Sequence, residues 1–154
     1  MRRIVLAKGR EHYASAAALF RKYADSLEFD LEFQGFDEEL ASLEEIYSRP
    51  AGCLVLAEYN GKIVGCVGLR RFEEGVCEMK RMYVLPEFRG KKIGRSLAVR
   101  VVEEARKLGY ERMRLDTIAS MKKADALYRS LGFQPIDAYR YNPIDGAAYY
   151  ELML

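Results

Sequence analysis

A short basic segment, Arg89-Gly90-Lys91-Lys92-Ile93-Gly94-Arg95, is the part of the sequence best suited to bind an anion. It follows an apolar run that ends at Val84 and precedes a long helical pattern, so it joins a predicted strand to a predicted helix. Helix N-termini present unpaired backbone N–H groups and the positive end of the helix dipole, which together bind phosphate. The segment therefore favours a phosphate or pyrophosphate site, and a basic turn without a ligand is the alternative.

This segment differs from two common nucleotide-binding loops. The sequence contains no G-x-G-x-x-G, so a Rossmann dinucleotide site is not expected. Gly90 and Gly94 are too close together for the G-x-x-x-x-G-K-[ST] loop, and no Lys-Ser or Lys-Thr follows them. A bound phosphate would therefore be held in some other way.

Hydrophobic periodicity and turn residues predict the elements that must position this segment. Asn60-Gly61 joins two apolar runs and is typical of a hairpin turn. Gly109 and Gly132 are typical of residues that end helices, and Asp37 is expected to cap the second helix. The predicted order is β-α-α-β-β-β-α-β-α-β-β, with strands at 3–7, 53–58, 63–71, 77–84, 112–117, 136–141 and 149–154 and helices at 11–27, 37–48, 92–108 and 121–131.

Length and composition agree with one α/β or α+β domain built on a single mixed sheet. The chain has 154 residues, of which 50% are hydrophobic and 31% are charged, and this balance excludes a disordered chain. No apolar run reaches the roughly 18 residues that cross a bilayer, and the charged N-terminus does not resemble a signal peptide. We expect one cytoplasmic domain over residues 1–154, with no membrane partner.

Charge is distributed unevenly along the chain. Between Ser26 and Arg49 eight acidic residues face one arginine, a net charge of −7, and between Lys80 and Arg129 fourteen basic residues face six acidic ones, a net charge of +8. One half is suited to cations and the other to anions, although two solvated surfaces would give the same pattern. The basic residues alternate with Leu, Val and Ala at helical spacing and the overall net charge is only +2, so no nucleic-acid partner is expected.

Residue types that bind metals are sparse. Cys53, Cys66 and Cys77 have no C-x-x-C spacing and each lies in an apolar run, which predicts buried reduced thiols rather than a nucleophile or zinc ligands. His12 is the single histidine, and the acidic residues lack the spacing of a calcium-binding loop. We expect no metal.

A second motif, Leu127-Tyr128-Arg129-Ser130-Leu131-Gly132-Phe133, ends the last predicted helix. With the loop at 89–94, it resembles the GNAT superfamily of acyl-CoA-dependent N-acyltransferases, whose signatures are [Q/R]-x-x-G-x-[G/A] and L-Y-x-x-x-G-F. The resemblance covers essentially the whole chain. Lys92 replaces a glycine of the first signature, and we expect it near the first helical turn without a positive φ. Met121 stands where an asparagine is common, so one hydrogen bond to pantetheine is expected to be missing.

The resemblance implies a GNAT-like mixed, mostly antiparallel sheet flanked by about four helices and splayed between strands four and five. It implies acetyl-CoA as the cosubstrate, with its pyrophosphate on the loop amides from Arg89 to Arg95. Main-chain groups of the fourth strand would contact the thioester oxygen and the pantetheine arm. The cofactor-binding residues implied in this way are Met82, Tyr83, Val84, Arg89, Gly90, Lys91, Lys92, Gly94 and Arg95.

The resemblance also implies catalytic residues. Tyr128 falls on the general-acid tyrosine of the family, and a ring packed in the core is its alternative role. Glu78 lies on the same predicted strand face as Lys80 and Met82, roughly 13 Å along the strand from Met82, which suits a base that acts through water. Pairing of Glu78 with Lys80, Arg81 or Arg112 is equally compatible with the pattern, and ordered water alone could then deprotonate the amine.

The acceptor would lie between the first two helices and the last two strands. Nearby acidic residues, Glu28, Asp30, Glu32 and Asp37, would attract an ammonium group, although a solvated acidic surface is the alternative. The expected reaction is acetyl transfer to a primary amine of a small molecule by direct attack in a ternary complex, in a monomer or homodimer. Protein lysines or N-termini as acceptors, and a catalytically silent acyl-CoA-binding module, remain alternatives. The expected substrate-binding residues are Phe33, Gln34, Phe36, Tyr139 and Tyr141, with Asn142 and Tyr149 as further candidates.

Overall fold

A computed structural model describes residues 2–27, 31, 35–117, 122–140 and 147–154. Seven strands in these ranges form one mixed sheet in the order β1-β2-β3-β4-β5-β7-β6, and five helices flank it. None of these five helices is long and apolar enough to cross a bilayer. The strands are β1 (Arg2–Leu6), β2 (Cys53–Tyr59), β3 (Lys62–Glu73), β4 (Val76–Val84), β5 (Arg112–Thr117), β6 (Gln134–Ile136) and β7 (Ala148–Met153). The helices are α1 (Gly9–Ser26), α2 (Phe36–Ala41), α3 (Leu43–Ile46), α4 (Ile93–Lys107) and α5 (Lys122–Ser130).

The sheet separates two groups of helices. A Cβ at Gly68 would lie 2.5 Å from the ring of Tyr47, which follows α3, and a Cβ at Gly65 would lie 3.1 Å from Leu97 of α4. Positions 65 and 68 of a strand point to opposite faces, so α1–α3 cover one face and α4 covers the other. Tyr128 of α5 packs on Tyr150 of β7, on the α4 side. Residues of β2 and β3 are therefore buried from both sides and form continuous apolar runs.

The fourth strand leaves its neighbour part-way along its length. β4 pairs in parallel with β5 through Val76–Glu78 and Arg112–Arg114, and no further pairs between them form in the described residues. On its other side β4 remains paired with β3, where the register shifts between Cys66 and Gly68. Arg81 takes a positive φ of 62° at this bulge. The predicted splay between strands four and five is confirmed, and it opens a cleft beyond Glu78.

The first and last thirds of the chain differ from the sequence-based prediction in detail. The predicted second helix is two short helices that meet at Ser42, and Asp37 does not cap them. Gly35 stands at that cap in a left-handed conformation, without a side-chain hydrogen bond. The sixth strand spans only Gln134–Ile136, because the chain then turns so that the next residues reach β4.

Candidate active site

The N-terminus of α4 is open at the end of the splayed strand. β4 ends at Val84, a single 3₁₀ turn spans Pro86–Phe88, and α4 begins at Ile93. No side chain of the described residues caps α4. The first N–H groups of a helix have no intrahelical acceptor, so this end presents donors and the positive pole of the helix dipole to an incoming group.

Gly94, in the first turn of α4, keeps this end uncovered. Its φ is not positive, and a Cβ built on it would meet no atom within 4 Å. Neither backbone conformation nor packing within the protein therefore requires glycine here, and glycine is a poor residue for a helix. The missing side chain leaves space above the helix N-terminus. That space fits a bulky anion such as a pyrophosphate.

Lys92 is the N-terminal cap of α4 and has a left-handed backbone, with φ of 63°. The expectation that it needs no positive φ is wrong. Gly90, two residues earlier, is also left-handed, with φ of 83°. The loop therefore contains two left-handed residues before the helix begins, and the second of them is Lys92. A left-handed conformation is unfavourable by roughly 1–2 kcal/mol for a residue with a Cβ. This explains why the family signature has glycine at the corresponding position.

Two arginines of the loop make internal contacts. Nε of Arg89 donates a hydrogen bond to the carbonyl oxygen of Val84 over 2.9 Å, and its guanidinium lies 5.4 Å from the ring centroid of Tyr83. Nη1 of Arg95 donates to Oγ of Ser130 over 2.9 Å and so connects α4 to α5. Both guanidinium groups stay exposed beside the loop, so each adds positive charge while it fixes the loop in place.

Lys91 is held from the opposite side of the loop. Its carbonyl oxygen accepts a hydrogen bond of 2.7 Å from Arg2, and its ammonium group lies 5.8 Å from the ring centroid of Tyr59. Arg2 and Lys92 also line an open pocket of about 360 Å³ that runs along α4. Positive charge therefore surrounds the helix N-terminus on both sides.

The main chain beyond the bulge borders the cleft. Tyr83 is buried, Met82 and Val84 are half-buried, and β3 pairs with this stretch through Cys66 and Gly65. Because β5 has already diverged, the other edge of β4 is not paired with a strand of the described residues. Open strand edges present N–H and C=O groups that can bind the amides of an extended ligand.

Tyr128 lies on the α4 side of the sheet. Its side chain is 6% exposed, and its ring packs edge-on to Phe133 at 5.7 Å and near Tyr150 at 6.2 Å. Its hydroxyl group forms no hydrogen bond within the described part of the chain. Burial raises the pKa of Tyr128, so the hydroxyl stays protonated at neutral pH and can act as a proton donor.

Glu78 lies on the opposite face, at the last residue pair before β4 and β5 separate. Its carboxylate is 2% exposed and accepts a hydrogen bond of 2.8 Å from the hydroxyl of Tyr139 and a short one from Nη2 of Arg140. Both donors reach Oε2. The structure thus brings together Glu78 and Tyr139, two residues that the sequence singled out, and it adds Arg140 as the ion-pair partner.

A polar pocket of about 220 Å³ surrounds Glu78 on the α1–α3 side. Burial lowers the pKa of Lys80 to about 8, although the charge of Glu78 acts in the opposite direction. The sequence did not predict that Arg70 and Arg140 belong to this pocket. The sequence feature that could have indicated a buried polar pocket was the charged run Glu78-Met79-Lys80-Arg81, inside a strand that is otherwise apolar and central in the sheet. The basic residues of the pocket are Arg70, Arg71, Lys80, Arg81 and Arg140, and its acidic residues are Glu39 and Glu78.

The remaining predicted acceptor residues divide into two groups. Phe36 is buried, with the guanidinium of Arg81 5.3 Å from its ring centroid, and it borders the pocket through that contact. Tyr149 packs edge-on to Tyr139 at 5.3 Å. Outside the described residues lie Phe33, Gln34, Tyr141, Asn142 and the acidic residues Glu28, Asp30 and Glu32.

Cysteine chemistry does not contribute to this site. All three cysteines are free and buried, as predicted. Burial raises the pKa of Cys53, Cys66 and Cys77 to about 12 in each case, so they stay thiols at neutral pH. The described residues contain no cluster of three side chains that could hold a metal ion.

Comparison with known proteins agrees with this geometry. The profile of the acetyltransferase (GNAT) family matches residues 16–133, well over half of the chain. The chain belongs to the GNAT acetyltransferase family. It is 40% identical over 136 residues to an uncharacterized N-acetyltransferase from Schizosaccharomyces pombe, a match that covers 87% of this chain and 83% of the relative. The members of this family are acyltransferases, and both the family profile and this relative match most of the length of this GNAT protein.

Solved GNAT structures share the fold. An acetyltransferase from Streptococcus agalactiae superimposes with a TM-score of 0.80 at 22% identity, over 99% of this chain and 98% of that one. An acetyltransferase from Salmonella typhimurium, solved with its cofactor acetyl-CoA, superimposes with a TM-score of 0.71 at 20% identity, over 99% and 93% of the two chains. The mixed sheet flanked by helices is therefore the GNAT fold, as predicted.

One group of GNAT relatives has a named product. The N-acetylaspartate synthetase of Mus musculus is 37% identical over 110 residues, which cover 70% of this chain and 37% of the relative. The matched segment therefore spans little more than a third of that protein's length.

Proposed function

We propose that residues 1–154 form one N-acetyltransferase domain that transfers the acetyl group of acetyl-CoA to a primary amine of a small molecule. The main support is the open first turn of α4 at Gly94, which no side chain of the described ranges covers and which follows the splayed strand. A diphosphate on this turn would leave the pantetheine arm directed along the open edge of β4.

The cofactor residues have distinct parts in this proposal. Backbone amides from Gly90 to Arg95 bind the pyrophosphate, and Gly94 provides the space for it. Main-chain groups of Met82 and Val84, on either side of Tyr83, pair with the pantetheine amides and with the thioester oxygen. Arg89 already donates to the Val84 carbonyl, so pantetheine binding there requires Arg89 to turn outward, toward the pyrophosphate.

The reaction is a direct attack in a ternary complex. The neutral amine nitrogen forms a bond to the thioester carbon, the C–S bond breaks, and the electron pair leaves on sulfur. Negative charge that develops on the carbonyl oxygen is stabilised by main-chain N–H groups of β4. Tyr128 donates its proton to the leaving thiolate, and burial, which raises the pKa of Tyr128, keeps this proton on the hydroxyl until the thiolate forms beside it.

The amine must lose a proton, and Glu78 is the proposed base. Arg140 and Tyr139 both contact Oε2, which leaves Oε1 without a donor from the described residues. Oε1 can therefore accept a proton through a water molecule in the pocket. Arg140 and Tyr139 already engage this carboxylate, and deprotonation by ordered water alone is the alternative.

The pocket also supports a small acceptor. Its volume of about 220 Å³ lies below the roughly 300–1,000 Å³ of sites for drug-sized ligands. The N-acetylaspartate synthetases, among the relatives, are named for an acetylated small amino acid. We propose a cytoplasmic enzyme, active as a monomer or homodimer, that requires neither nucleic acid nor a membrane.

Release of free thiol from acetyl-CoA tests this function. Purified protein is incubated with acetyl-CoA and a panel of small amines, N-terminal peptides and lysine peptides, and products are identified by mass spectrometry. We expect thiol release that depends on a small amine and slows in Glu78→Gln. Acetylation of peptides alone would favour a protein acceptor. Binding of acetyl-CoA without transfer to any amine would indicate a silent binding module.

A further inference from the structure

The pocket around Glu78 contains more positive than negative charge. Its five basic residues face the carboxylates of Glu39 and Glu78, and Asp116 of β5 acts on Lys80 and Arg140 from nearby, which leaves an excess of two positive charges at neutral pH. The pocket is half-enclosed by α2, β3 and β4, and such walls of low polarisability strengthen the potential inside. Cations are seldom gathered in a buried site without an anion to balance them.

Internal ion pairs neutralise only part of this charge. Glu39 binds Arg81, and Glu78 binds Arg140, so both carboxylates are already engaged. Arg70 and Arg71 form no ion pair with any residue that the structure describes. Arg70 is half-buried and lies directly opposite Glu78 across the β3–β4 ladder, so its guanidinium faces the acceptor side of the cleft.

Arg140 supplies a second, independent observation. Its Nη2 donates to Glu78, but its Nε is buried and has no hydrogen-bond partner among the residues that the structure describes. Buried N–H donors are almost always paired in folded proteins, and an unpaired one marks a place where a ligand or water binds. A carboxylate is the acceptor that a guanidinium N–H binds most strongly.

The pocket adjoins the proposed reaction centre and is not a separate site. It opens where β4 and β5 separate, beside Glu78, on the face of the sheet opposite to Tyr128. An acceptor in this pocket would present its amine to the cleft from the α1–α3 side, while the thioester enters from the α4 side. A charge in the pocket therefore selects among acceptors.

We propose that the acceptor is a small amine with two carboxylates, of the dicarboxylic amino-acid class, bound through Arg70 and through Nε of Arg140, which no described residue binds. This rests on the acetyltransferase function proposed above and adds the substrate class. Two carboxylates balance the excess of two positive charges, and the amine stays available to attack the thioester.

The first experiment compares matched acceptors at saturating acetyl-CoA. Aspartate is compared with asparagine, and glutamate with glutamine, because each pair differs by one carboxylate. We expect kcat/KM to be at least about tenfold higher for the acid of each pair, as a charged partner contributes more than a neutral one. Equal or higher values for the amides would overturn the proposal.

Variants identify the responsible residue. Arg70→Gln should raise KM for the acidic acceptor about tenfold with little change in kcat, and should leave KM for the amide unchanged. Arg106→Gln removes the same charge from an exposed site on α4 and serves as the control. An equal effect of both arginine variants on KM would contradict a specific role for Arg70.

A binding measurement separates this inference from the proposed function. Calorimetric titration with succinate, a dicarboxylate that lacks an amine, should give a binding signal that succinamide does not give and that Arg70→Gln weakens. Succinate binding without acetylation of any amine would refute the proposed function and support the anion site. The absence of succinate binding would refute the anion site, even if other amines are acetylated.

Discussion

Glu39 and Arg81 form a two-point ion pair inside the protein, in which Nη2 donates to Oε1 over 2.7 Å and Nε donates to Oε2 over 3.0 Å. Both side chains are almost fully buried, and Tyr47 adds a third hydrogen bond of 2.8 Å to Glu39. Arg81 is also the left-handed residue at the β4 bulge. The pair thus fixes α2, on the proposed acceptor side, to the bulge beside which β4 and β5 separate.

The first prediction concerns this ion pair. Glu39→Gln should lower the free energy of unfolding by about 3–5 kcal/mol, because it leaves a buried guanidinium without its counter-charge. Urea unfolding measures the loss. Glu38→Gln, at the exposed neighbouring position, is the control and should change stability by less than about 0.5 kcal/mol. Similar stability of the two variants would show that the buried pair does not hold α2 on β4.

The second prediction concerns Tyr128. Tyr128→Phe should lower kcat about 100-fold, because the leaving thiolate loses its proton donor, and should change the Kd of acetyl-CoA by less than about twofold. The hydroxyl has no hydrogen bond to the described residues, so little folding stability is at stake. Tyr150→Phe removes a hydroxyl from the same aromatic cluster and should leave kcat unchanged. Wild-type turnover in Tyr128→Phe would assign the proton donor elsewhere.

The sequence predicted most of the strands and the longest helices because their signals are local. Asn60-Gly61 has the positive φ angles of the expected turn, and Gly109 follows α4 with φ of 89°. The connection between β4 and α4 was predicted for the same reason, since a basic glycine loop between a strand and a helix is a continuous pattern. The start of the predicted second helix was wrong, because Gly35 rather than Asp37 is the cap of α2.

The pocket around Glu78 could be predicted only in part, because its residues come from distant segments. Arg70 and Glu78 face each other only once the β3–β4 register is known, and Arg140 meets Glu78 across 62 positions of the chain. A charged side chain in a predicted strand shows that something polar is buried there. It does not show which partner it meets.

The third prediction concerns pH. Burial lowers the pKa of Lys80 to about 8 from 10.5, and Arg81 and Arg140 lower it further, while Glu78 and Asp116 oppose the shift. Between these two pH values the unfolded chain holds a proton that folded Lys80 has lost. The free energy of unfolding should therefore rise with pH in this window relative to Lys80→Met.

Urea titrations of both proteins at pH 7, 8, 9 and 10 measure this difference. Tyrosines with raised pKa values change stability in the opposite direction, but they are the same in both proteins and cancel in the comparison. Parallel pH curves for the wild-type protein and Lys80→Met would mean that Lys80 titrates normally in the folded state.

The fourth prediction concerns Lys92. Lys92→Gly should raise the free energy of unfolding by about 0.5–1 kcal/mol relative to Lys92→Ala, because glycine relieves the left-handed strain and loses part of that gain to chain entropy. The comparison with alanine removes the effect of the lysine charge. A less stable glycine variant would show that position 92 is not strained.

The most direct test of the account uses Gly94→Asp, measured by thermal unfolding and by calorimetric titration with acetyl-CoA. Aspartate fits position 94 without a clash, and in the first turn of α4 it interacts favourably with the helix dipole, so Tm should stay the same or rise. Its carboxylate would occupy the proposed pyrophosphate position, so the Kd of acetyl-CoA should rise by about tenfold or more, and Gly94→Ala should have a smaller effect. An unchanged Kd in a stably folded Gly94→Asp protein would contradict the placement of the cofactor on this helix.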